Sequence, residues 1–145
     1  MATRTREPEA PPATPWTIDA ARALYNIEGW GAGYFDIDDR GHVVVRPDKS
    51  DKGRALDLFE IASDLEAQGI GLPVLLRFSD ILRSRIESLS ARFEAAIQEF
   101  GYTGRYTTVY PIKVNQQRHV VEEIVQFGQV HGVGLECGSK PELQA

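Results

Sequence analysis

Residues 106–137 read YTTVYPIKVNQQRHVVEEIVQFGQVHGVGLEC, and the order of patterns inside this stretch decides the fold class. Tyr106 to Val114 is rich in β-branched and aromatic residues, the composition of a strand. A helix is predicted from about Gln117, because Val120, Val121, Ile124 and Val125 share one helical face, and Gly128 ends it. Val133 to Cys137 then reads as a second strand. Strand, helix and strand at this spacing require a parallel pair joined by a crossover helix, since a short turn cannot bring a strand back in the same direction.

Working outward, the same unit is predicted once more upstream. Val74-Leu75-Leu76 is a continuous apolar run, the pattern of a strand buried on both faces. Ser79 is placed to cap the helix after it, in which Ile81, Leu82, Ile86, Leu89, Phe93, Ile97 and Phe100 recur at helical spacing until Gly101. Downstream, Ser139-Lys140-Pro141-Glu142 matches a capping box with proline in the first turn. Strands thus begin near residues 73, 106 and 133, each followed by a helix. Periodicity leaves two closures open, a (β/α)8 barrel and an open doubly wound sheet. Three such strands do not complete a barrel, which takes about 250 residues, so the chain is expected to be a piece of a longer protein.

Before residue 72 the pattern is different. Ile18, Ala21, Leu24 and Tyr25 predict a short helix over Thr17 to Asn26, and Trp30 to Tyr34 is a small-residue stretch with aromatic flanks. Phe35 and Ile37 alternate with Asp36 and Asp38, Asp39-Arg40-Gly41 turns the chain, and Val43 to Val45 returns, which predicts a hairpin. Leu58, Ile61, Ala62 and Leu65 predict a helix within Asp51 to Gln68, stopped by Gly69. The division expected is a disordered Pro-rich tail over 1–15, an α+β extension over 16–71, and barrel-type units over 72–145.

Composition narrows the function classes. Of 145 residues, 42% are hydrophobic and 26% charged, as in ordinary globular proteins. The net charge of -5 and the scattering of Lys and Arg argue against nucleic acid and anionic membranes as partners. No apolar run approaches the ~20 residues of a membrane helix, and Met1 to Pro15 lacks the apolar core of a signal peptide. With Cys137 alone, no intrachain disulfide can form, which is compatible with a reducing compartment.

Two positions carry candidate chemistry. Lys113 falls at the C-terminal end of a parallel strand, where α/β folds place ligands. Among Val109, Ile112 and Val114 its amine is expected to be desolvated, which lowers its pKa and favours the neutral form that attacks an aldehyde. Glu136 falls at the same end of the next strand and is expected beside Lys113. Each has a plainer reading as a solvated strand-end charge, and Gly138 and Ser139 are read as a cap rather than an anion site. His42, His119 and His131 are too dispersed for a metal site and are read as surface or packing residues. Cys137 is read as a small packing residue.

Several strings together resemble the biosynthetic arginine decarboxylases, among the barrel-type pyridoxal-phosphate enzymes: Tyr25-Asn26-Ile27 with Trp30-Gly31 and Gly33-Tyr34-Phe35; Leu72-Pro73-Val74-Leu75-Leu76-Arg77-Phe78; Val109-Tyr110-Pro111-Ile112-Lys113-Val114-Asn115-Gln116; and Gly134-Leu135-Glu136 with Gly138-Ser139-Lys140. The resemblance runs from about Trp16 to Ala145, and the block around Lys113 is its most specific part. Cys137 departs from it, since alanine is usual there. The resemblance implies a (β/α)8 barrel with a separate β-rich domain, pyridoxal phosphate held by Lys113 as a Schiff base, and an acidic residue at Glu136 near the cofactor. It further implies decarboxylation of L-arginine to agmatine in the cytoplasm, upstream of putrescine and spermidine, with magnesium dependence and self-association of the full-length enzyme. The implied phosphate loops, catalytic cysteine, guanidinium pocket and magnesium site lie beyond Ala145, so the chain alone is expected to be inactive. Rival readings are a barrel decarboxylase acting on ornithine, lysine or diaminopimelate, a non-catalytic pyridoxal-phosphate carrier, and an inactive fragment.

Overall fold

The computed structural model describes residues 15–49 and 54–144. The tail predicted over 1–15 therefore lies outside the described residues, apart from Pro15. Helix α1 (Ile18–Leu24) starts where Thr17 Oγ1 accepts a hydrogen bond from the Ala20 N–H at 3.0 Å. This satisfies a donor that has no partner inside the helix. Helix α2 (Ile27–Gly31) was not evident in the sequence. It is a single short segment set between Asn26 and Ala32, both at φ 48° in the left-handed region.

The predicted hairpin is present. Strands β1 (Phe35–Ile37) and β2 (Val43–Val45) pair antiparallel, Phe35 opposite Val45 and Ile37 opposite Val43. In the turn, Asp38 Oδ1 accepts from the Arg40 N–H at 3.0 Å and the His42 N–H at 2.8 Å, the short-range bonding for which aspartate is favoured in turns. Ala21, Ile27 and Ile37 form one buried cluster, and Val45 is fully buried nearby in the same sheet.

The helix predicted within Asp51 to Gln68 begins later than its apolar pattern suggested. Leu56–Asp57 forms a third strand, β3, antiparallel to β2, and helix α3 spans Leu58–Ala67. Asp57 belongs to both structures: it ends the strand and caps the helix, its carboxylate accepting from the Phe59 and Glu60 N–H groups at 2.9 and 3.1 Å. Gly69 terminates the helix at φ +81°.

The strand predicted at Val74-Leu75-Leu76 is not formed. Residues 72–78 carry no pairing in the described chain, and Leu75 is 75% exposed. An apolar run cannot become a strand without a ladder partner, and Pro73 removes one of its donors. Helix α4 (Ser79–Glu99) follows as expected, but Ser79 is its first helical residue rather than its cap. The hydroxyl instead donates to Glu123 Oε1 at 2.6 Å, tying α4 to helix α5 (Arg118–Gly128). Arg83 lies over the Phe127 ring at 4.5 Å along the same seam.

Strand β4 (Val109–Pro111) and strand β5 (Gly134–Glu136) are parallel, with Val109 opposite Gly134 and Pro111 opposite Glu136. The crossover β4–α5–β5 predicted from residues 106–137 is thus present, with shorter strands. Two described parallel strands stand where three were expected. The three-residue strands β4 and β5 each run roughly 10 Å, well short of the 21-residue α4 at about 31 Å. The α4 stripe is correspondingly half covered, with Leu89 at 42% and Phe93 at 41% exposure. The architecture is mixed α/β, and the Tyr34 hydroxyl joins its two halves through a 2.9 Å bond to Ser84 Oγ.

Candidate functional site

At the end of β4 the chain tightens into a 3-10 turn, Ile112–Val114. Ile112 is buried and anchors this turn against the body of the protein, as are Val120 and Ile124 on α5. Lys113 therefore stands on a fixed base just past the strand rather than within it. Its side chain is exposed, and Val109 and Val114 beside it are 53% and 70% exposed. The apolar enclosure expected around the amine is thus not provided by the described residues. Val109, four residues before Lys113, and Val114, directly after it, both face solvent.

The turn continues in an ordered way. The Tyr110 hydroxyl donates to the Asn115 carbonyl at 3.3 Å, and Asn115 Oδ1 accepts from the Gln117 N–H at 3.0 Å. On the neighbouring strand, Glu136 sits opposite Pro111 and is half-buried. Lys113 and Glu136 consequently share the C-terminal end of the same parallel pair, as their sequence positions predicted. The described structure brings these two site residues to one end of one sheet.

Beyond Glu136 the capping box forms with its return bond shifted by one residue. Glu142 N–H donates to Ser139 Oγ at 3.4 Å, and the Glu142 carboxylate accepts from the Gly138 N–H at 2.6 Å. That carboxylate already occupies the Gly138 donor, so this loop acts as the start of helix α6 (Lys140–Gln144) and not as an anion cradle. Cys137 is exposed, its Sγ 3.6 Å from the Glu142 carbonyl; the packing role expected for it is not what the structure shows.

A second cluster was missed in the sequence because its members are far apart along the chain. His42 Nδ1 lies 2.6 Å from Asp57 Oδ2, and Asp38, His42 and Asp57 bring metal-ligating atoms within 4.8 Å of one another. The His42 ring also packs on Phe59 at 4.7 Å. Desolvation pushes the Asp57 carboxyl up, but hydrogen bonds from His42 and from the Glu60 and Phe59 N–H groups outweigh it and hold it below the ordinary aspartate value. The donor set does not suit magnesium, which prefers about six oxygen ligands. Asp38 and Asp57 are already engaged by internal donors, and the Arg40 guanidinium lies 3.6 Å from Asp57. The cluster ties the hairpin turn to α3.

Comparison with known proteins gives the class first. Residues 86–145, which hold α5, both parallel strands, Lys113 and Glu136, match the family described as pyridoxal-dependent decarboxylase, pyridoxal binding domain. Longer alignments are more specific. The chain is 56% identical over 128 residues to the biosynthetic arginine decarboxylase of Thermosynechococcus vestitus, covering 88% of this chain and 20% of that protein. It is 48% identical over 143 residues to arginine decarboxylase 1 of Oryza sativa, covering 93% and 20%. The crystal structure of the biosynthetic arginine decarboxylase SpeA from Campylobacter jejuni superposes with a TM-score of 0.72 at 38% identity, over 83% of this chain and 20% of that one. Over most of its own length the chain is similar to biosynthetic arginine decarboxylases, and it spans about a fifth of the length of the curated relatives it matches.

Proposed function

We propose that this chain is the cofactor-lysine segment of a pyridoxal-phosphate-dependent carboxy-lyase that converts L-arginine to agmatine and CO2. The observation that carries this reading is the placement of Lys113, in the turn that directly follows β4, at the same C-terminal sheet end as Glu136, which pairs with Pro111. The residues fit the cofactor: Lys113 offers an accessible primary amine on an anchored turn, and Glu136 offers a carboxylate at the same end. When bound, pyridoxal phosphate supplies an electron sink for the pair left behind as the carboxylate departs.

The chain's own residues then have definite tasks. The Lys113 Nζ amine would hold the cofactor. Ile112 and the Tyr110–Asn115–Gln117 bonds keep the base of Lys113 still, which would hold the amine at one point toward the cofactor. Glu136 holds or receives charge beside it. Residues 16–71 form an extension and 72–145 the opening units of a (β/α)8 barrel, whose later units close over Lys113 and supply the enclosure the described residues do not. Substrate selection and magnesium binding fall to the remainder of a longer, self-associating cytoplasmic enzyme upstream of putrescine and spermidine. No described helix is long and apolar enough to cross a membrane.

The test is covalent mapping on the polypeptide that carries this segment. Condensation of the Nζ amine with the aldehyde expels water, and borohydride fixes the product as a secondary amine. With one equivalent of pyridoxal phosphate, mass spectrometry is expected to place the label on Lys113, and Lys113→Ala to abolish it together with agmatine formation. A label on Lys140 instead, or turnover of ornithine, lysine or diaminopimelate in preference to arginine, would overturn the proposal.

A further inference from the structure

The turn that carries Lys113 is held from three directions, and one of them comes from elsewhere in the chain. From β4, the Tyr110 hydroxyl reaches the Asn115 carbonyl. Within the turn, Asn115 Oδ1 takes the Gln117 N–H. From the segment before α4, the Arg77 guanidinium Nη2 donates to Gln117 Oε1 across 40 residues of sequence. Gln117 is the residue at which α5 begins, yet its side chain makes no capping bond to its own helix. Its amide oxygen is given to Arg77 instead.

This contact has the character of a strut. Its donor is charged and its acceptor is a neutral amide oxygen, so the bond is charge-assisted without being an ion pair, and it needs the guanidinium N–H aimed at that oxygen. Arg77 also directly follows the apolar run 74–76, which puts it one residue before Phe78, the N-cap of α4. Gln117 is joined by its N–H to Asn115, the residue that closes the Lys113 turn, so the Arg77 bond reaches the far side of that turn through Gln117, while the near side is held by β4 and Ile112.

We propose that Arg77 is a positioning residue for Lys113, acting through its hydrogen bond to Gln117. The inference rests on the reading of Lys113 as the cofactor amine. A long flexible side chain on a turn tethered at one end samples more positions than one tethered at both, and a shift of about 1 Å in a reacting group can cost up to ~100-fold in rate.

The experiment follows borohydride trapping of one equivalent of pyridoxal phosphate over time in the full polypeptide, comparing wild type with Arg77→Ala, Gln117→Ala, the double variant and Arg77→Lys. Labelling of Lys113 relative to Lys140 is expected to fall about tenfold in each single variant, and no further in the double, because both changes remove one strut. Arg77→Lys, which keeps the charge but on a shorter side chain without the planar guanidinium N–H, is expected to recover the ratio only in part. A merely structural loss would lower the unfolding midpoint and label both lysines alike, which would overturn the proposal. Wild-type ratios in both single variants would overturn it too, as would losses that multiply in the double. Gln117→Ala decides the matter if Arg77→Ala does not fold. If wild-type protein labels a lysine other than Lys113, the parent reading falls, and this one with it.

Discussion

Val45→Ala is the perturbation most directly calculable from the fold. Val45 is fully buried, opposite Phe35 on one side and Leu56 on the other. The substitution removes two carbons, about 1.6 kcal/mol of transfer free energy at ~0.8 kcal/mol per methylene. The three strands pin the backbone, so the site cannot collapse fully and a residual cavity adds about 1 kcal/mol. The sum is about 2.5 kcal/mol, which at a urea slope of ~1.5 kcal/mol/M moves the midpoint down by about 1.7 M. Leu24→Ala is the control. It deletes more carbon, but Leu24 is 75% exposed, so its cost should stay within about 0.5 kcal/mol. Urea titration followed by circular dichroism measures both. A Val45→Ala shift no larger than that of Leu24→Ala would refute the placement of the folded core in the β1–β2–β3 sheet.

Other outcomes follow from other contacts. Asp57 and Asp36 both have folded-state values below the ordinary one, where hydrogen bonds to His42 and to the Ile37 N–H and Arg22, respectively, outweigh desolvation. Because the unfolded chain binds those protons more readily, their stabilisation is complete above the ordinary aspartate pKa of about 3.9 and is lost as pH falls through the lower folded values. Thermal midpoints measured from pH 7 to pH 3 should therefore fall less steeply in Asp57→Asn than in wild type. Gly101 ends α4 at φ +59° with open space around it, so Gly101→Ala should cost about 1 kcal/mol through backbone strain alone, and Gly101→Asn less. Ser79→Ala and Glu123→Ala should be non-additive by about 0.5–1 kcal/mol in a double-mutant cycle, because the Ser79 hydroxyl bonds across to α5 and does not cap its own helix.

What the sequence revealed and what it hid divide along the range of the interactions. The hairpin at Asp39-Arg40-Gly41 and the capping box at Ser139 and Glu142 are set by residues within a few positions of one another, and both are present. The β4–α5–β5 crossover was legible because its apolar periods change sharply at Asn115 and Gly128. The strand β3 was hidden, since two residues, Leu56 and Asp57, make no period of their own. The segment 72–78 failed in the opposite sense: its apolar run is clear, but a strand exists only when another strand pairs with it. At the site, the placement of Lys113 and Glu136 at one strand end followed from sequence, whereas the exposure of Lys113 depended on which elements cover that end. The His42–Asp57 contact joins positions 15 residues apart, and the Arg77–Gln117 contact joins positions 40 apart. Neither leaves a local trace.

Cys137 follows Glu136 directly, is exposed, and is the single cysteine of the chain. On these 145 residues a maleimide dye would therefore attach at one known point on the rim of the Lys113 end; in a longer polypeptide any other thiols would first be replaced. Its emission would report the arrival of an absorbing pyridoxal ring by energy transfer, turning an ordinary thiol into an optical gauge of binding.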